Sequence, residues 1–223
     1  MTHKPLFWRL APLSLALILI VVFLSVPAAG AISTSLVINE IDYDQDSTDL
    51  AEFLEIKNVS AAAINLDTWS VELVNGTGGG AALYQTIDLP NLSLAAGDYY
   101  VVCANPATVA NCDLDGGVDS NFIQNGSPDA IGLRDGATLV DAVSYEGDTG
   151  APYTEGSGAG LEDNPSLANS GISRCPDGAD SDQNNADLTP AAISPGAAND
   201  CPAPPVALTI MEIQGAGHTS PYE

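Results

Sequence analysis

"EFLEIKNVSAAAINLDTWSVELVN", residues 52–75, is the stretch whose reading decides the fold. Leu54 and Ile56 alternate with Glu55 and Lys57, and after a short spacer Trp69, Val71 and Leu73 fall on one face in the same way. A period of two is the mark of a strand, because successive side chains leave a strand on opposite faces. The stretch therefore predicts two strands, each with one dry face and one wet one.

The pattern continues on both sides. "SLVINEI" (35–41), "YQTIDLP" (84–90), "DYYVVCAN" (98–105), "AIGLRD" (130–135) and "TLVDAVSYE" (138–146) are strand candidates of the same kind. "NGTGGG" (75–80), "AAGD" (95–98), "NGSPD" (125–129) and "RDGAT" (134–138) separate them as turns, with glycine supplying positive φ. Seven short strands in about 110 residues predict an all-β, immunoglobulin-like β-sandwich. Beyond residue 147 the chain becomes polar and glycine-rich, "GDTGAPYTEGSGAGLEDNPSLANSG", which reads as a long excursion held on the sandwich by Tyr153 and Leu161 at most. "CPAPPVA" (201–207) is a Pro-rich, extended linker.

The N-terminus is of another character. His3, Lys4 and Arg9 precede an apolar run from Leu10 to Val26, and Ala29-Gly30-Ala31 offers small residues at a cleavage site. Residues 1–31 read as a secretory signal peptide cleaved after Ala31, which places the protein outside the cell; an uncleaved membrane anchor is the alternative. Cleavage leaves three basic residues, Lys57, Arg134 and Arg174, against 29 acidic ones, a net charge of −26. Such a surface repels phosphate, so direct binding of nucleic acid or of anionic membrane is not expected. Four cysteines in an exported chain predict disulfides. Of the three pairings, Cys103–Cys112 would close "CANPATVANC" after a strand, and Cys175–Cys201 would tie the polar tail together.

Catalysis is poorly provided for. Nucleophilic triads need a histidine base, and His218 alone follows the signal peptide. No catalytic residue and no organic cofactor is expected. Glu40, Glu52 and Glu55 flank the first two strands and suit turn-bonding or solvated positions better than acid–base chemistry. Two oxygen-rich loops are more specific. Asp42, Asp44, Asp46 and Asp49 stand at D-x-D-x-D-x-x-D, and Asp180, Asp182, Asn184 and Asp187 repeat the spacing, with Asp177 able to join the second set. Alternate residues of a tight loop can face one Ca²⁺ ion. Both loops fall short of an EF-hand, since Ser47 or Asn185 stands where Gly is required and Phe53 or Ala191 where Glu is.

"VINEI" (37–41), "EFLEIKNVS" (52–60), "INLDTWSVEL" (64–73), "LAAGDYYVVC" (94–103) and "LVDAVSY" (139–145) occur in an order that resembles the lamin tail domain. "SRCPDGADSDQNNADL" (173–188) and "SPGAAND" (194–200) resemble the extension that closes bacterial members of that family. Thr68 departs from the pattern, which usually has Gly before the Trp. The resemblance covers residues 33–200 and implies a non-catalytic interaction or structural module, with an unidentified protein or surface ligand as partner. Residues 201–209 would then be the linker, and "IMEIQGAGHTSPYE" (210–223) resembles the start of the region that precedes the catalytic domain in extracellular endonuclease/exonuclease/phosphatase-type nucleases. A free-standing adhesion or binding module is the competing expectation.

Overall fold

In a computed structural model, which describes residues 32–77, 80–164, 166 and 169–202, the two strands of the opening stretch form and enter different sheets. The elements are β1 (Leu36–Asp42), β2 (Phe53–Asn58), β3 (Ile64–Asn65), β4 (Trp69–Asn75), β5 (Ala82–Asp88), β6 (Ser93–Leu94), β7 (Tyr99–Cys103), β8 (Leu114–Asp115), β9 (Asp129–Asp135), β10 (Thr138–Tyr145), β11 (Ser170–Arg174), a single helical turn α1 (Asn184–Asp187) and β12 (Leu188–Ala192). One sheet runs β12-β11-β1-β2-β7-β8, the other β10-β9-β4-β5, and β3 with β6 makes a small ribbon. All pairings between the long strands are antiparallel. The all-β immunoglobulin-like sandwich expected from the alternation is the fold.

The spacer between β2 and β4 carries the chain across. Asn65 caps a 3₁₀ turn over Leu66–Thr68 by accepting the Asp67 N–H at 2.9 Å. Trp69 then drops into the core with Val71 and Leu73. Thr68 binds the β9–β10 hairpin: its hydroxyl donates to Asp135 at 2.6 Å and its carbonyl accepts from Gly136 at 2.8 Å. Gly136 has φ +54, the left-handed conformation that a two-residue hairpin demands.

The core lies between the sheets, with Leu36, Ile38, Leu54, Ile56 and Val102 from one meeting Trp69, Val71, Ile131 and Val143 from the other. β1 keeps to this plan through a bulge between Ile38 and Glu40, which puts both Asn39 and Glu40 on the outer face and returns Ile41 to the core. Tyr43 stacks on Tyr145 there, ring centroids 4.4 Å apart.

Two expectations need correction. β1 is buried along its whole length, and Glu55 on β2 is 0% exposed, so the six-stranded sheet has no wet face in its middle. The reason is the segment after residue 169, which read as a polar tail. It supplies β11 and β12 to the sheet and then lies across the outer face of β1 and β2. The excursion before it is held by more than Tyr153 and Leu161, since Thr149, Glu155 and Asp163 are buried as well. On the outer face of β2 and β7, Phe53, Val101, Cys103 and Val109 form a second small core.

Both disulfides bracket this covering material. Cys103–Cys112 (Cα–Cα 5.7 Å) fastens the loop that bears Val109, and Cys175–Cys201 (5.5 Å) closes the segment around β12. Among the described residues no helix is long and apolar enough to cross a membrane. The expected signal peptide, the linker from residue 203 onward and the segment 210–223 lie outside the described residues.

Candidate functional site

The described residues contain no histidine. What they contain instead is a set of buried carboxylates, and each one's partners tell what it can do.

The largest set surrounds Arg174, whose side chain is fully buried at the end of β11. Nη2 donates to Asp141 at 2.8 Å, Nη1 reaches Asp180 at 3.2 Å and Asp187 at 3.4 Å, and Nε donates to the Ile38 carbonyl at 2.8 Å. Asp141 comes from β10 in the opposite sheet and also accepts the Ile38 N–H of β1. This one guanidinium therefore ties β11, β1, β10 and the loop before α1 together. Asp141, Glu155 and Asp180 bring carboxylate oxygens within 4.8 Å of one another, and Arg174 is the cation in their midst. Burial raises Glu155, which also feels Asp141 and Asp180, and it is held by the Ala142 N–H at 3.1 Å.

A second set covers the outer face of β1 and β2. Asn39 donates to Glu55 at 2.8 Å, to Asp177 at 3.0 Å and to Asn199 at 3.2 Å. Asn199 returns a hydrogen bond to the Asn39 carbonyl at 3.1 Å. Glu55 accepts the Gly196 N–H at 2.7 Å, and Glu40 accepts from Ser173 at 2.8 Å and from the Ser194 N–H at 2.9 Å. Lys57 pairs with Asp177 over the Tyr99 ring.

The five oxygen ligands expected in the second acidic loop are thus divided. Asp177 faces Lys57, Asp180 and Asp187 face Arg174, and Asn184 is buried against β10, donating to the Ala142 carbonyl at 2.8 Å. One Asp182 oxygen is buried with no hydrogen-bond partner. The first loop divides too. Asp42 turns inward, Asp44 and Asp49 accept from the Asn125 amide at 3.3 and 3.4 Å, and Asp46 is exposed. Asp163, Arg174 and Asp141 were not among the residues that spacing singled out. For Asp141 a signal existed, a lone carboxylate inside the apolar run "LVDAV" (139–143).

Glu52 stands apart from these clusters. It is 0% exposed at the entry to β2, where its two oxygens accept the Phe122 N–H at 2.6 Å and the Ile123 N–H at 3.1 Å. Burial nevertheless lifts Glu52 and Glu55 from 4.5 to about 8, against those hydrogen bonds. A carboxyl group raised in the folded state binds more protons there than in the unfolded chain, so its contribution is full below 4.5 and is lost as pH rises through about 8. Stability should therefore fall from pH 5 to pH 8.5. Thermal melts across that window are expected to lose at least about 5 °C, and a Tm that rises with pH would refute the assignment.

An immunoglobulin-like sandwich in which Glu40, Glu52, Glu55, Asp141 and Glu155 each hold a backbone N–H defines an all-β module of that class. The family model for the Lamin Tail Domain matches residues 30–147, more than half of the chain, and the chain belongs to that family. Among curated proteins no match is found. The family match ends where β10 ends, whereas the sheet is completed only by β11 and β12, so the folded unit reaches beyond the matched segment.

Proposed function

We propose that this chain is an exported, non-catalytic interaction module that serves as the N-terminal part of a larger extracellular nuclease. The observation that carries the non-catalytic reading is the fate of the buried carboxylates. Glu40, Glu52, Glu55, Asp141 and Glu155 all accept hydrogen bonds from the chain itself and hold loops and strands in place. Two disulfides and the signal-like residues 1–31 support export. The resemblance of residues 210–223 to the region before a nuclease domain supports the placement in a nuclease. The net charge makes a protein or surface ligand, rather than DNA, the partner of this module.

Purified chain incubated with plasmid DNA and Mg²⁺ or Ca²⁺ is expected to show no cleavage, and measurable turnover would overturn the non-catalytic reading. The nuclease placement is tested separately, by sequencing in-frame DNA beyond Glu223. A following domain rich in His, Asp and Asn supports it; a stop codon directly after Glu223 in intact, correctly assembled DNA favours a free-standing binding or adhesion module.

A further inference from the structure

One acidic centre has no cation of its own. Asp42, at the end of β1, and Asp163, in the excursion, are 2% and 1% exposed, and they lie close enough to feel each other's charge. Asp163 Oδ2 accepts the N–H groups of Tyr43 at 3.1 Å and Asp44 at 3.2 Å, and Asp42 Oδ1 accepts from Gln45 at 2.7 Å. The remaining oxygen of Asp163, Oδ1, is buried without any hydrogen-bond donor. The charges nearby are Glu40 on β1, Asp44 and Asp49 in the following loop, Glu146 after β10, and Glu162, all negative. The three basic residues in the described part of the chain are engaged elsewhere: Lys57 with Asp177, Arg134 with Glu72, and Arg174 with Asp141, Asp180 and Asp187.

Two neighbouring carboxylates in a buried, uniformly negative setting repel each other unless something positive sits beside them. Among the described residues nothing positive stands there, which leaves the place to a cation from solvent.

We propose that Asp42 and Asp163 form a site for a hard divalent cation of the calcium class. All donors at the centre are oxygen, and Asp163 Oδ1 is one such donor already stripped of water and unused. Asp42 also lines a cavity of about 280 Å³ with Gln45, Thr108 and Asn169 on its polar wall, which gives an ion an approach from the Asp42 side and room there for waters of its shell. Ser47, at φ +84, bends the loop in the left-handed region and brings Asp44 and Asp49 to the same amide of Asn125 beside the pair. The site differs from the D-x-D-x-D arrangement that spacing suggests, since Asp46 faces solvent and the decisive ligand lies about 120 residues further along the chain. An ion with two protein carboxylates belongs to the millimolar class of extracellular calcium modules.

The test is carried out on the full chain at neutral pH. Calcium at ten times Kd is expected to raise Tm by about 4 °C over chelator, and Asp163→Asn should remove the rise, since its amide can still accept from Tyr43 and Asp44 while offering N–H groups to Asp42. Asp182→Ala, in the other acidic loop, should leave the rise intact. Terbium supplies a second readout below the melting range, in case a variant is unstable. Tyr43 adjoins the site, so tyrosine-sensitised terbium emission is expected, competed by calcium and lost in both Asp163→Asn and Asp42→Asn. Identical melts in chelator and calcium overturn the proposal. A calcium response that survives Asp163→Asn, or disappears in Asp182→Ala, overturns it by placing the ion elsewhere.

Discussion

Arg174→Met is expected to cost this domain about 3–5 kcal/mol and to leave much of the population unfolded, because removing one partner strands the others as buried uncompensated charges. Methionine fills much of the aliphatic stem and supplies no donor. Asp141, Asp180 and Asp187 would lose their counter-ion, and the carbonyls of Ile38 and Ala179 would lose a donor, around a side chain that is closed off from solvent. The damage should spread along a defined path. Arg174 joins β11 to β1 and, through Asp141, to β10, so amides of Ile38 and of β11–β12 should lose protection before those of β4 and β9. Urea titration of the variant measures the total loss, and hydrogen exchange maps its order. Arg174→Lys keeps the charge but not the fork, and should fall between the two. A methionine variant as stable as the native chain would show that the cluster clasps nothing.

This clasp also marks the limit of what the amino-acid order shows by itself. β1, β2, β4, β7, β9 and β10 are legible because their apolar residues keep step with the strand period, and "TWSVELVN" needs nothing else to be placed. β11 and β12 are not. "SGISR" offers a single large apolar residue and "LTPAA" contains a proline, tolerated because β12 is an edge strand. Both strands owe their pairing to the disulfide and to side chains from distant segments, and such partners leave no periodic trace. Burial of Glu55 was hidden for the same reason: alternation places it on the outer face correctly, but whether that face is wet depends on where residues 175–201 lie. Asp177, Asp180 and Asp187 are legible as acidic and closely spaced. That Lys57 takes the first and Arg174 the other two depends on side-chain geometry that spacing does not carry.

Glu52→Ala should be the other severe substitution, at about 3 kcal/mol, for a reason that has nothing to do with charge pairing. The side chain bridges sheet and loop: it starts β2 and holds the N–H groups of Phe122 and Ile123, two residues whose side chains are 1% and 0% exposed in the core. Alanine leaves both N–H groups buried without an acceptor, at about 1–3 kcal/mol each, and empties the space the glutamate filled. Glu52→Gln retains one acceptor and points an amide N–H₂ at the other N–H, so it should cost roughly half as much. The pH dependence separates this anchoring from a mere loss of volume. With its folded-state value raised to about 8, Glu52 adds stability at pH 5 that it no longer adds at pH 9. Glutamine has no such slope. The gap in stability between native chain and Glu52→Gln should therefore narrow as pH rises, and the Phe122 and Ile123 amides should exchange faster in both variants at every pH. A gap that widens with pH would mean that the two N–H bonds outweigh desolvation and hold Glu52 ionised in the folded state.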